Sequence, residues 1–320
     1  MIPFVFMGTP EFSTVILDEL EAANFVPSLV ITQPDRPCGR GRKLAPSPVS
    51  LWAEARGIRT LKPRTCRDQV FVDQLKALEP VFILTAAFGQ ILPASILEIP
   101  DKGCLNLHAS LLPRYRGASP VQAALLNGDK ETGVTLMLMD EGLDTGPVIS
   151  RSRVALTDQI GAGELNLALA RLGGELVAES LCPYLEGKLI PQPQDESRAT
   201  ITRLLKKADG EVDFDQPAFQ VHNHIRAMNP WPGAFAFLDG KRYKLLRARV
   251  FEESFVSGVP GELHLFDRRM ILVCGEGAVE ILEIQPESGT AMTCVTCSHN
   301  FEEGSIFGAC SPCEDPGEDR

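Results

Sequence analysis

Asn106, His108 and Asp144 are the residues of this chain best suited by type and spacing to chemistry. Asn106 and His108 belong to the run C-L-N-L-H. Residues two apart on a strand point to the same face, so the two side chains project together. An asparagine amide can donate to a developing oxyanion, and a histidine can accept or donate a proton near neutral pH. Asp144 follows in M-D-E-G-L-D-T-G-P-V, beside Asp140 and Glu141. From there a carboxylate can orient the imidazole, stabilise its cation or help remove a proton. Each residue also has a plainer reading. A histidine can simply close a strand through a hydrogen bond, and acids in glycine loops are commonly solvated turn residues.

Two other groups of residues stand out. Cys294 with Cys297 and Cys310 with Cys313 form C-V-T-C-x12-C-S-P-C, which has the ligand count of a structural tetrahedral zinc site. The gap between the pairs is slightly shorter than the usual ribbon spacing, and free thiols on an acidic tail or redox-active pairs are the alternatives. Between Arg36 and Arg64 there are eight Lys or Arg residues against one acid, Glu54. Such a loop can guide a polyanion even on a chain of net charge −11. The first glycine turn, M-G-T-P, lacks both GxGxxG and the Walker lysine pattern, so it reads as an ordinary strand-to-helix turn.

The elements that must position these side chains follow from periodicity. IPFVFMG, SLVITQP, VFILTAA, CLNLHAS and GVTLMLM read as strands, several apolar enough to be covered on both faces. FSTVILDELEAA, SPVSLWAEARG, the stretch from Gln69 to Leu78 and that from Ala162 to Leu185 read as helices. Strands alternating with helices predict an α/β fold with a mostly parallel sheet and a ligand site beyond the carboxyl ends of its strands. LIPQPQDES has the composition of a linker. Beyond Arg203 short strands with glycine turns predict a small β-barrel. The expected division is 1–189 catalytic, 190–204 linker, 205–290 barrel and 291–320 a cysteine-containing acidic tail.

Bulk properties describe a soluble globular protein. Hydrophobic content is 44%, no run approaches a membrane span, and MIPFVFMGTP lacks the basic region of a signal peptide. A cytoplasmic location is expected, and the nine cysteines do not form a secreted disulfide framework.

The run CLNLHASLLPRYRGASPVQAALLNGD, followed by TGVTLMLMDEGLDTGPVI, resembles the core signature of the folate-dependent formyltransferases. FMGTPEFS at the start and IRAMNPWPGAF in the second half narrow the likeness to the branch whose acceptor is initiator methionyl-tRNA. The resemblance covers roughly Ile2 to Pro286. It implies a Rossmann-like domain that binds 10-formyltetrahydrofolate and an OB-like barrel that helps hold tRNA. Asn106, His108 and Asp144 match the family's catalytic set. Ser110, Leu111, Leu112 and Pro113 match a turn of the folate site, and Phe88, Gly89, Ile91 and Leu92 its apolar lining. Arg40, Arg42 and Lys43 match the basic insertion that approaches the tRNA acceptor stem. The resemblance implies formyl transfer without a catalytic metal, and a monomer is expected. A relative acting on a small amine would keep the three catalytic residues without needing both the basic loop and the barrel. A catalytically silent RNA-binding relative would not need all three.

The resemblance fades after Gln285. Where the family usually closes with a short segment carrying some basic residues, this chain offers the two CxxC pairs, and SRATITRLLKK is not quite the family's usual wording at the linker, although its basic residues remain.

Overall fold

The computed structural model describes residues 2–38, 43–253 and 257–308. Contacts divide the chain into two compact units. The first comprises 1–120, 131–155 and 166–202, and the second 121–130, 156–165 and 203–320.

The first unit is built on a seven-stranded sheet. Its strands are β1 (Phe4–Gly8), β2 (Leu29–Ile31), β3 (Thr60–Leu61), β4 (Phe82–Ala86), β5 (Cys104–His108), β6 (Glu131–Leu138) and β7 (Val148–Ala155). The order is β7-β6-β5-β4-β1-β2-β3, parallel from β3 through β5 and antiparallel for the last two. Burial on both faces explains the near-continuous apolar runs of β1 and β4. Val5, Met7, Ile83 and Cys104 face one apolar cluster, completed by Phe71, Val72 and Leu75 of helix Gln69–Lys76. Local caps fix the helix starts. The Ser47 hydroxyl accepts from Ser50 N at 3.0 Å ahead of Pro48–Ala55, and Asp68 accepts from Val70 N at 3.0 Å ahead of Gln69–Lys76. β7 was not foreseen as a strand. Its sequence VISRSRVA alternates burial, as an edge strand with one covered face does.

The second unit carries an antiparallel sheet of β8 (Phe235–Leu238), β9 (Lys241–Phe251), β10 (Leu263–Phe266), β11 (Arg269–Val273) and β12 (Ala278–Pro286), in the order β8-β9-β12-β11-β10. Irregular register between Leu245 and Ala248 marks where the long β9 bends, as a bulge does. Leu245, Ile281, Ile284 and Leu272 form its core with Val221, Ile225 and Met228 of helix Ala218–Met228. The described chain beyond Pro286, up to residue 308, packs onto this core. Met292–Thr293 pairs with β12, and Phe307 is 1% exposed in contact with the Tyr243 and Phe301 rings. Burying one such phenylalanine is worth roughly 1.5–3 kcal/mol, enough to hold a short segment in place.

Candidate active site

Asn106 and His108 stand on the same face of β5 as Cys104, opposite Leu105 and Leu107. Asp144 reaches them by an indirect route. β6 runs antiparallel to β5, so its end at Leu138 pairs with Leu105 rather than with His108. The loop from Met139 to Pro147 then folds back over the sheet face and delivers Asp144 to both side chains. Asp140 shapes that loop, accepting from Gly142 N at 3.0 Å and Thr145 Oγ1 at 2.7 Å. Gly146 lies so close to the Leu138 carbonyl that any Cβ there would collide with it. Asp144 itself holds φ +53°, a left-handed conformation uncommon outside glycine, Asn and Asp.

The three side chains converge. Asn106 Nδ2 donates to Asp144 Oδ1 at 3.3 Å, and His108 Nδ1 lies 3.5 Å from Asp144 Oδ2. Gly117 N donates to Asp144 Oδ2 at 2.8 Å. His108 Nε2 is 2.8 Å from the Tyr115 carbonyl, which can only accept, so Nε2 donates to it and Nδ1 is the nitrogen that faces the Asp144 carboxylate. Thr85 Oγ1 is 2.8 Å from Asn106 Oδ1, which leaves Nδ2 for the carboxylate. The side chains of His108 and Asp144 are 8% and 15% exposed, so their mutual field is little screened by water.

The other candidate residues fall in different places. Ser110 is buried and donates to the Arg114 carbonyl at 2.6 Å. Leu112 N donates to Thr135 Oγ1 at 3.1 Å, Leu111 stands beside Gly133, and the Leu112–Pro113 peptide is cis. These contacts shape the turn after β5. Phe88 and Leu92, each 4% exposed, join the apolar cluster, whereas Ile91 is 81% exposed and Gly89 turns the chain at φ +85°. Thr9 Oγ1 and Gln33 Nε2 pin this loop by donating to the Phe88 carbonyl at 2.9 Å and 3.2 Å. Lys43 is exposed on a two-stranded ribbon, Arg36–Cys38 with Lys43–Ala45, while Arg40 and Arg42 lie outside the described residues. Among the cations of β9 in the second unit, Arg242 stacks on Phe235, the exposed Arg249 is paired with Glu280, Lys244 is half-buried, and Lys241 and Arg247 are exposed.

Cys294 and Cys297 are 2% and 1% exposed, and burial pushes both thiols above their ordinary range. Cys310 and Cys313 lie outside the described residues. Among the described residues no group of three or more His, Cys, Asp or Glu is placed to hold a metal. Also among them, no helix is long and apolar enough to cross a membrane.

Residues unnoticed in the sequence complete the site. Thr85 is the one hydroxyl in the apolar strand VFILTAA, a signal open to reading. Tyr115 and Gly117 act through backbone atoms, which no side-chain pattern reveals.

The family model described as formyl transferase matches residues 2–181, and that of the formyl transferase C-terminal domain matches residues 204–299. A methionyl-tRNA formyltransferase of Caldanaerobacter subterraneus is 43% identical over 95% of this chain and 99% of its own length. The chain belongs to the methionyl-tRNA formyltransferase family. The family's Geobacter sulfurreducens member is 46% identical over 88% of this chain and 89% of its own. In fold the chain is similar to an N-formyltransferase from Helicobacter canadensis solved with folinic acid and dTDP-3-aminofucose. The TM-score is 0.66 at 18% identity, over 88% of this chain and 99% of that one. The methionyl-tRNA formyltransferase family thus accounts for both units, the Rossmann-like one and the antiparallel one.

Proposed function

We propose that this chain transfers the formyl group of 10-formyltetrahydrofolate to the α-amine of methionine carried on initiator tRNA. The observation that carries this reading is the meeting of Asn106, His108 and Asp144 in a chain aligned over nearly its whole length with methionyl-tRNA formyltransferases. In the reaction the amine nitrogen attacks the formyl carbon, a new C–N bond forms, and the bond from that carbon to N10 of the folate breaks. Asn106 Nδ2, held by Thr85, donates to the oxyanion of the tetrahedral intermediate. His108 contributes to the same charge through Nδ1 when that nitrogen is protonated. Asp144 orients the imidazole and assists transfer of the amine proton, whose final acceptor is N10.

The folate is proposed to bind beside the turns after β4 and β5. Leu111, Gly89 and the exposed Ile91 suit contact with a flat apolar ring, and the buried Pro113 helps shape the turn. Phe88 and Leu92 shape that loop from the core, and Ser110 and Leu112 hold the turn. Arg40, Arg42 and Lys43 are proposed to meet tRNA phosphates, with the antiparallel unit as a second contact surface. On this reading residues 1–189 are catalytic, 190–204 connect, 205–290 bind tRNA, and the protein works as a monomer in the cytoplasm.

The test is a formylation assay with 10-formyltetrahydrofolate and charged initiator tRNA, run beside a small amine such as glycinamide ribonucleotide. Formyl-methionine on tRNA, with no product from the small amine, is the expected result. The reverse pattern would move the chain to a small-molecule branch.

The tail, 291–320, carries a separate proposal: Cys294, Cys297, Cys310 and Cys313 hold one structural zinc ion. In its support, Phe307 packs in the same cluster as Cys294 and Cys297, which anchors the chain beside the first pair shortly before the second begins. A metal would also offset the cost of burying thiolates. Protein purified without chelator should contain about one zinc per chain. A content near zero leaves Cys294 and Cys297 as thiols of the barrel core.

A further inference from the structure

The linker-like stretch LIPQPQDESRATIT is stitched along the catalytic unit. Gln192 pairs with Val148 at the start of β7 through two backbone hydrogen bonds of 2.8 Å. Further on, Thr200 accepts from Tyr115 N on its hydroxyl and from Arg116 N on its carbonyl, each at 2.8 Å. Ile201–Thr202 then pairs in parallel with Arg116–Gly117. The strap therefore touches both loops that meet at the site: the one carrying Tyr115 and Gly117, and the one carrying Asp144.

Gln194 joins them through its side chain. It is 9% exposed, and all its strong hydrogen-bonding capacity is used inside the unit. Nε2 donates to the Asp144 carbonyl and to the Gly146 carbonyl, both at 2.8 Å. Oε1 accepts from Arg116 Nε at 3.1 Å and Arg116 Nη2 at 2.9 Å. Arg116 is held in turn by Glu196 at 2.6 Å, a bond that raises its pKa and keeps the cation fixed. The neighbouring Gly117 offers its N–H to the Asp144 carboxylate, and a Cβ at Gly117, where φ is +103°, would collide with the Thr202 carbonyl.

We infer that Gln194 is a positioning residue for the transfer reaction: its amide clamps the Asp144 loop onto the Arg116 loop and so fixes the Asp144 carboxylate against His108 and Asn106. The inference rests on the formyl-transfer reading above. A primary amide is the side chain required here. It must donate twice to carbonyls on one side and accept from a guanidinium on the other, and neither a carboxylate nor a thioether of the same length does both. Catalytic geometry tolerates little displacement, so a loop released by a fraction of an ångström loses rate while keeping its ligands.

The test measures formyl transfer by wild type, Gln194→Met and Gln194→Glu, each shown by thermal melting to be folded. Gln194→Met keeps the volume and removes every hydrogen bond, while Gln194→Glu keeps only the acceptor toward Arg116. Both should lower kcat by about 10- to 100-fold and leave the KM values for folate and for charged tRNA within about threefold. In an Asp144→Asn background Gln194→Met should cost little more, because the residue acts through Asp144. Wild-type kcat in both single variants, or full additivity of Gln194→Met with Asp144→Asn, overturns the inference. An inactive wild type would instead count against the formyl-transfer reading itself.

Discussion

In the first unit a buried arginine, Arg116, reaches Gln194 and Glu196; in the second a buried glutamate, Glu280, reaches Arg249 and Arg269. The two clusters are chemically alike. Arg116 is 5% and Glu280 4% exposed, and each has a charged partner open to water, Glu196 and Arg249. They differ in what they hold. The Arg116 cluster ends, through Gln194, on the backbone of a loop whose aspartate faces a histidine and an asparagine. The Glu280 cluster ties three neighbouring strands, β9, β11 and β12, to one another, and Arg269 also covers the Phe251 ring. A buried ion pair by itself says little about function, since desolvation offsets much of its attraction. Its meaning lies in the next contact along.

Mutations can break this contrast. His108→Ala should have the largest effect, lowering kcat by about a hundredfold or more in a protein that still folds. Full activity would remove His108 from the mechanism. Replacing Arg40, Arg42 and Lys43 together by Ala should weaken tRNA affinity by about tenfold or more and flatten its salt dependence by roughly two to three ions, sparing folate binding. Binding isotherms at several salt concentrations decide this, and an unaltered slope would make the loop a solvated surface. Glu280→Gln should act in the opposite sense to His108→Ala. It leaves two arginines underpaired and should cost about 1–2 kcal/mol of stability by denaturant titration, with kcat unchanged. A loss of kcat without a loss of stability there would erase the distinction between the clusters.

Much of this was legible in the sequence, for identifiable reasons. Strands β1, β4 and β5 announce themselves because both faces are covered and few polar residues interrupt them. Asn106 and His108 are visible because a two-residue spacing on a strand fixes a common face. The approach of Asp144 was only partly legible. Its loop leaves β6 at the wrong end of β5 and must fold back, a path set by Asp140, Gly146 and the Leu138 carbonyl rather than by any periodicity. The segment around Gln194 was hidden for a different reason. Proline and polar residues mark a linker by composition, yet the same residues can satisfy buried backbone groups when two loops need clamping. The packing of Phe307 and the Cys294–Cys297 turn was likewise concealed by the acidic residues around them.

Formyl transfer is proposed to depend on the Asp144 carboxylate held between His108 and Asn106. The most direct test is the single-turnover rate of Asp144→Asn with saturating 10-formyltetrahydrofolate and charged initiator tRNA. The substitution keeps the size and the acceptor for Gly117 N but removes the charge facing His108. The rate should fall by about a hundredfold or more, with tRNA affinity unchanged. A rate within a few-fold of wild type would contradict it.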